Sequence, residues 1–114
     1  MRYILSTQCR VPPEKMENFL REVQQWEDAA MSSPHSPEYH AVYLRRSDPS
    51  AALIVTQFSN KDVADAFAGT GLLARFHERV LACAVESSEP DGYDLYYGAG
   101  PAGPRVVFGQ DATT

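Results

Sequence analysis

The spacing of apolar positions along this chain switches between the period of a strand and the period of a helix, and each switch marks a new element. In residues 2–10, Tyr3, Leu5, Thr7 and Cys9 fall on one side and Arg2, Ile4, Ser6, Gln8 and Arg10 on the other, which reads as a strand. Pro12 and Pro13 end it, because neither can donate to a ladder, and a proline suits the first turn of a helix. From Glu14 to Ala30, the apolar positions Met16, Phe19, Leu20, Val23, Trp26 and Ala30 recur at helical steps and predict an amphipathic helix. Glu14, Glu17, Arg21, Glu22 and Gln25 take its wet side, with Glu14 and Glu17 near the positive end of the helix dipole.

After the stop segment Met31-Ser32-Ser33-Pro34-His35-Ser36-Pro37, residues 38–46 alternate again, with Tyr39, Ala41, Tyr43 and Arg45 opposite His40, Val42 and Leu44. Ser47-Asp48-Pro49-Ser50 predicts a hairpin turn. Residues 52–58 (Ala-Leu-Ile-Val-Thr-Gln-Phe) then read as a central strand, apolar on both faces and covered on both. Ser59 or Asn60 caps a second helix that carries Val63, Ala64 and Phe67 inward. Gly69-Thr70-Gly71 breaks it, and it resumes with Leu72, Leu73, Phe76, Val80, Cys83 and Ala84 inward. Residues 87–92 predict a loop and Tyr93–Tyr97 the fourth strand. The Gly/Pro-rich run 98–104 predicts no regular structure, Arg105–Phe108 a short strand able to reach a neighbour, and Gln110–Thr114 a fraying end.

The order strand–helix–strand–strand–helix–strand, joined by right-handed crossovers, gives an α+β class: a ferredoxin-like antiparallel sheet, βαββαβ, with both helices on one face and strands one and three in the middle. The other face then lacks a cover, and a second copy of the chain is the expected one, making a homodimer. Residues 1–98 form the domain and 99–114 the tail.

Composition narrows the partners. A net charge of −5 argues against nucleic acid and anionic lipid, and no apolar run approaches a membrane span. Met1–Thr7 reads as a strand, not a leader. Cys9 and Cys83 are the only cysteines, too few for a disulfide framework, so a reduced, cytoplasmic setting is expected.

Most chemical signatures fail on context. Gly98-x-Gly100-x-x-Gly103 matches the dinucleotide fingerprint formally, but no helix follows to receive a phosphate and no acidic residue follows to meet a ribose. His35, His40 and His77 have no carboxylate or cysteine at ligand spacing, so no metal is expected. No nucleophile elbow is present. The remaining candidates are His77, suited to proton transfer near neutral pH and flanked by Arg75 and Arg79, and a set of tyrosines at 39, 43, 93, 96 and 97.

Val11-Pro12-Pro13-Glu14 at the first strand–helix junction and the stretch Ile54–Ala64, with the element order, resemble the antibiotic biosynthesis monooxygenase family of dimeric α+β barrels over roughly residues 2–98. The resemblance implies homodimers whose sheets close into a barrel, a pocket between sheet and helices in each subunit, and exchange of the C-terminal segment with the partner. It also implies oxygenation of hydroxylated polyketides, quinols or anthrones without a metal or flavin cofactor. In that frame His77 is the base or hydrogen-bond partner, and Tyr43 with Arg75 or Arg79 stabilises developing oxyanion charge. Ser6, Ile54, Thr56 and Phe58 hold pocket-facing places, Phe58 stacking on the substrate ring. Phe58 stands where the family usually has Trp, Ile54 where some members have a substrate-binding Asn, and Ser6 where a haem-degrading branch has Asn, which argues against haem. A non-catalytic barrel that binds an apolar aromatic ligand, and a polyketide cyclase or isomerase, are the alternatives.

Overall fold

The computed structural model describes residues 1–100 and the backbone of 103–107, with side chains through Gly98. In chain order the elements are β1 (Tyr3–Arg10), a 3-10 turn (Pro13–Lys15), α1 (Met16–Met31), β2 (Tyr39–Arg45), β3 (Asp48–Phe58), α2 (Lys61–Ala68), α3 (Leu72–Arg79), a second 3-10 turn (Leu81–Cys83), β4 (Glu86–Ser87), β5 (Asp91–Asp94), β6 (Tyr97–Gly100) and β7 (Gly103–Val107). This is the expected α+β, ferredoxin-like layout. One antiparallel sheet runs β2-β3-β1-β4, with β5 also on the free edge of β1, so β1 and β3 are central.

Local chemistry explains the boundaries. The two prolines after β1 start a 3-10 turn before the α-helical bonding of α1 begins. Asn60 caps α2, its Oδ1 accepting from the Val63 N–H at 2.9 Å. The Gly-Thr-Gly break is present: Gly71 sits at φ +83°, a left-handed conformation that a side chain would strain. The Thr70 hydroxyl there donates to the Phe67 carbonyl at 2.6 Å and accepts from the Leu72 N–H at 3.3 Å.

Phe19, Val23, Trp26 and Ala30 of α1, Ala64 and Phe67 of α2, and Leu72 and Phe76 of α3 bury against Ala52, Ile54 and Phe58 of β3. Cys9 and Cys83 are both free and buried. Leu20, expected inside, is exposed, because the inward stripe of α1 runs through Phe19 and Val23 and leaves Leu20 to one side.

Three expectations are corrected. The hairpin turn is the two-residue Arg46–Ser47, so Asp48-Pro49-Ser50 already belongs to β3. The fourth strand lies earlier than the aromatic run suggests. Backbone pairing to β1 uses Glu86–Ser87 and Asp91–Asp94 instead, and ends where the Leu95 N–H donates to the Arg2 carbonyl at 2.8 Å. Pro90, which has no N–H to pair, sits in the gap between the two short strands. Lastly, the glycine-rich run is not irregular throughout: β6 and β7 pair as a separate antiparallel hairpin, which also crosses the boundary drawn at residue 98. Phe108 and the fraying end lie outside the described residues.

Candidate functional site

The register decides which side chains meet the helices. Leu5 pairs with Thr56, Thr7 with Ile54, and His40 with Thr56, so these residues share the helix side of the sheet. Trp26 rises from α1 above them, its indole N–H donating to the Leu72 carbonyl at 2.8 Å. Its ring meets Phe76 and His40 at 4.9 Å each. Phe76 carries the next contact outward, to His77 at 6.2 Å.

Between these layers lies a small cavity of about 20 Å³, walled by Leu5, Thr7, Ile54 and Thr56 from the sheet and by Trp26 and Phe76 from the helices. Leu73, His77 and Pro90 complete its lining. Its volume holds about one water molecule. His77 itself is exposed, so it stands at the mouth and not on the floor.

Of the residues singled out in the sequence, the fold brings His77, Ile54 and Thr56 together around this cavity. It places the others elsewhere. Ser6 pairs with Val55 and therefore points from the opposite face of the sheet, since neighbours along a strand alternate sides. Tyr43 shares that open face, half exposed, its hydroxyl 2.7 Å from that of Tyr39. Phe58 does face the helices but is sealed at 0% exposure against Phe67, so it cannot stack on a ligand. Arg75 and Arg79 line a groove with Glu22 and Gln25, on the far side of Trp26 from the sheet.

His40 is the member of this layer that sequence reasoning passed over. It is the one polar residue on an otherwise apolar side of its strand, with Val42 and Leu44, and that is the signal that marks it. Its Nδ1 lies 3.1 Å from Thr56 Oγ1. Burial pushes the imidazole pKa down to about 4, which keeps the ring neutral at physiological pH. Among the described residues no group of three or more His, Cys, Asp or Glu side chains is placed to hold a metal ion. No helix among them is long and apolar enough to cross a membrane.

No protein-family model and no curated protein sequence matches this chain. Solved structures do match in shape. A conserved protein from Methanosarcina mazei superposes with a TM-score of 0.69 at 13% identity, over 82% of this chain and 91% of that one. A Nitrosomonas europaea protein assigned as an antibiotic biosynthesis monooxygenase gives 0.68 at 16% identity, over 87% and 94%. SnoaB from Streptomyces nogalater, a cofactor-independent oxygenase, gives 0.66 at 13% identity, over 82% and 92%. The chain has the antibiotic biosynthesis monooxygenase fold. At these identities the likeness is one of architecture, and the chemistry has to be argued from the residues around the cavity.

Proposed function

We propose that this chain is a monooxygenase-like protein acting on a hydroxylated aromatic small molecule of the quinol or anthrone kind, without a bound metal or flavin. One observation carries the reading: His77 stands at the mouth of an aromatic-walled cavity between sheet and helices, in a fold shared with a cofactor-independent oxygenase. An electron-rich ring that has lost a proton can pass an electron to dioxygen directly. One oxygen atom then enters the ring and the other leaves as water, so substrate and dioxygen balance the reaction by themselves. The protein's part is to desolvate, orient and place charge. Leu5, Ile54 and Phe76 exclude water, Trp26 offers an aromatic face, and His77 serves as base or hydrogen-bond partner for the hydroxyl at the mouth. A ring is larger than the cavity as it stands, so entry moves Leu73, His77 and Pro90 apart at the rim.

The proposal includes a homodimer paired through the open sheet face and a reduced, cytoplasmic setting, with which two free buried cysteines agree. Dioxygen uptake by the purified protein with a hydroxyanthrone and a panel of hydroquinones tests the reading. Turnover is expected, and His77→Ala should lower its rate by about 100-fold, the usual scale for loss of a general base. Absence of uptake across the panel would favour the second reading, a non-catalytic barrel that binds an apolar aromatic ligand. The small volume of the cavity speaks for that alternative.

A further inference from the structure

His40 is a buried titratable group that this chemistry leaves unused. It stands on β2 directly across from Thr56, with its side chain 1% exposed. Nδ1 meets the Thr56 hydroxyl at 3.1 Å, while Nε2 is buried with no hydrogen-bond partner. What Nε2 faces is Glu27 Oε1 of α1, at 3.8 Å, longer than a hydrogen bond and close enough to become one with a small shift of the carboxylate. A buried polar atom left in this state is costly and rare, which is a reason to look for a use. Thr56 belongs to the cavity wall, and the Glu27 side chain is 38% exposed. Three proton-exchanging groups therefore lie in a row between the cavity and solvent beside α1, with the His40–Glu27 step open at 3.8 Å.

We propose that Thr56, His40 and Glu27 form a proton relay that takes a phenolic proton from a ligand seated against Thr56 and later returns it; the proposal rests on the ligand class argued above. In the outward step the ligand O–H bond breaks and its proton bonds to Thr56 Oγ1. The proton Thr56 held passes to His40 Nδ1, and the Nε2 proton passes to the Glu27 carboxylate. No electrons change owner in the relay. When the second oxygen atom leaves the oxidised ring as water, the same path runs backward and delivers the proton to it, so each group ends as it began.

The surroundings suit a conduit. Trp26 and Phe76 flank the imidazole, at 4.9 Å and 6.4 Å between ring centroids, and keep water away from it. Of the elements packed on it, α1 presents Glu27, whose pKa is raised by burial and by neighbouring Asp28. α3 presents Phe76, which does not titrate, with His77 beyond it, and Arg75 lies in the groove past Trp26. The division of labour also says something of the substrate. A ring with hydroxyls at opposite ends meets His77 at the mouth and Thr56 inside.

Two measurements on the full chain test the relay. Nitrogen-15 NMR of His40 should show the Nε2–H tautomer, with Nδ1 accepting from Thr56; an Nδ1–H tautomer leaves the Thr56 proton nowhere to go and overturns the proposal. The second uses p-nitrophenol as a probe, its phenolate read by visible absorption. After a pH jump, bound probe should exchange its phenolic proton with water about tenfold faster in the wild-type protein than in E27Q or H40F, because a relay alters the rate of transfer and not its equilibrium. E27Q keeps the shape of a half-exposed side chain, so it reports even if H40F folds poorly. Identical exchange rates in wild type and E27Q would overturn the relay while leaving the pocket standing. Failure of the probe to bind wild type at millimolar concentration would instead strike at the aromatic-ligand premise, and the relay with it.

Discussion

Taken one side chain at a time, His40 is a buried imidazole that the fold keeps neutral. Its pKa of about 4 lies below the ordinary value of 6.5, and burial is the cause. Between those two values the unfolded chain binds the proton and the folded one does not, so acid favours unfolding. The stabilising contribution is complete above about pH 6.5 and is lost as the pH falls toward 4. Allowing for partial relaxation around the ring, roughly 2 kcal/mol should disappear between pH 7 and pH 4. Urea unfolding at the two pH values measures it, and His40→Phe should flatten the slope in that window. A wild-type profile parallel to the variant's would show that the ring is hydrated in solution. Asp48 is a different case: hydrogen bonds from Ser50 and from the Arg10 guanidinium hold its pKa down to about 2, so its charge persists across this range.

The decisive element is the interrupted second helix. Had it continued straight through Gly69-Thr70-Gly71, the positions from Leu72 on would follow the direction of α2. The break re-aims them, and the Trp26 indole then fixes the start of α3 by holding the Leu72 carbonyl. Phe76 and His77 reach the cavity as a result. Gly71→Ala places a side chain at φ +83° and should destabilise the fold by about 1 kcal/mol in urea unfolding. Gly71→Asn should recover part of that, since Asn tolerates the left-handed region. Equal loss in both variants would point away from backbone conformation as the cause. The free edge of β1 shows the opposite behaviour. Exposed Glu86–Ser87 and Asp91–Asp94 pair with it through the backbone ladder, so the aromatic run at 93–97 misled the strand assignment.

For the molecule as a whole, the open question is what covers the far side of the sheet. Leu53 at 36% exposure, Tyr43 at 50% and Tyr93 at 51% lie on that face with Ile4, Val55 and Ala41. Contiguous apolar surface of this kind marks an interaction site. Sedimentation equilibrium should therefore give a particle of twice the 12.6 kDa chain mass. Leu53→Asp, which puts a charge in the middle of the face, should shift the equilibrium to single chains without changing the helical circular dichroism. A monomeric wild type would remove the homodimer from the proposal.

Much of this protein was legible in its residues, for a local reason. Proline geometry, the Asn60 cap, the glycine break and the two hydrophobic periods act within a few positions, so they fix where elements begin, end and bend whatever surrounds them. The alternation even separates Thr7 from Ser6 correctly. It could not say which side of β1 meets the helices, because Ile4 and Leu5 are both apolar, and the family-based position of Ser6 conflicted with that parity. Long-range partners were beyond reach as well. The His40–Thr56 bond spans 16 positions and exists only because β2 and β3 pair in one register of several that the pattern allows. Sealing Phe58 against Phe67 and placing Pro90 at the cavity are likewise consequences of three-dimensional packing, which excludes water from one side of a strand and assigns each side chain its neighbours only after the chain has closed.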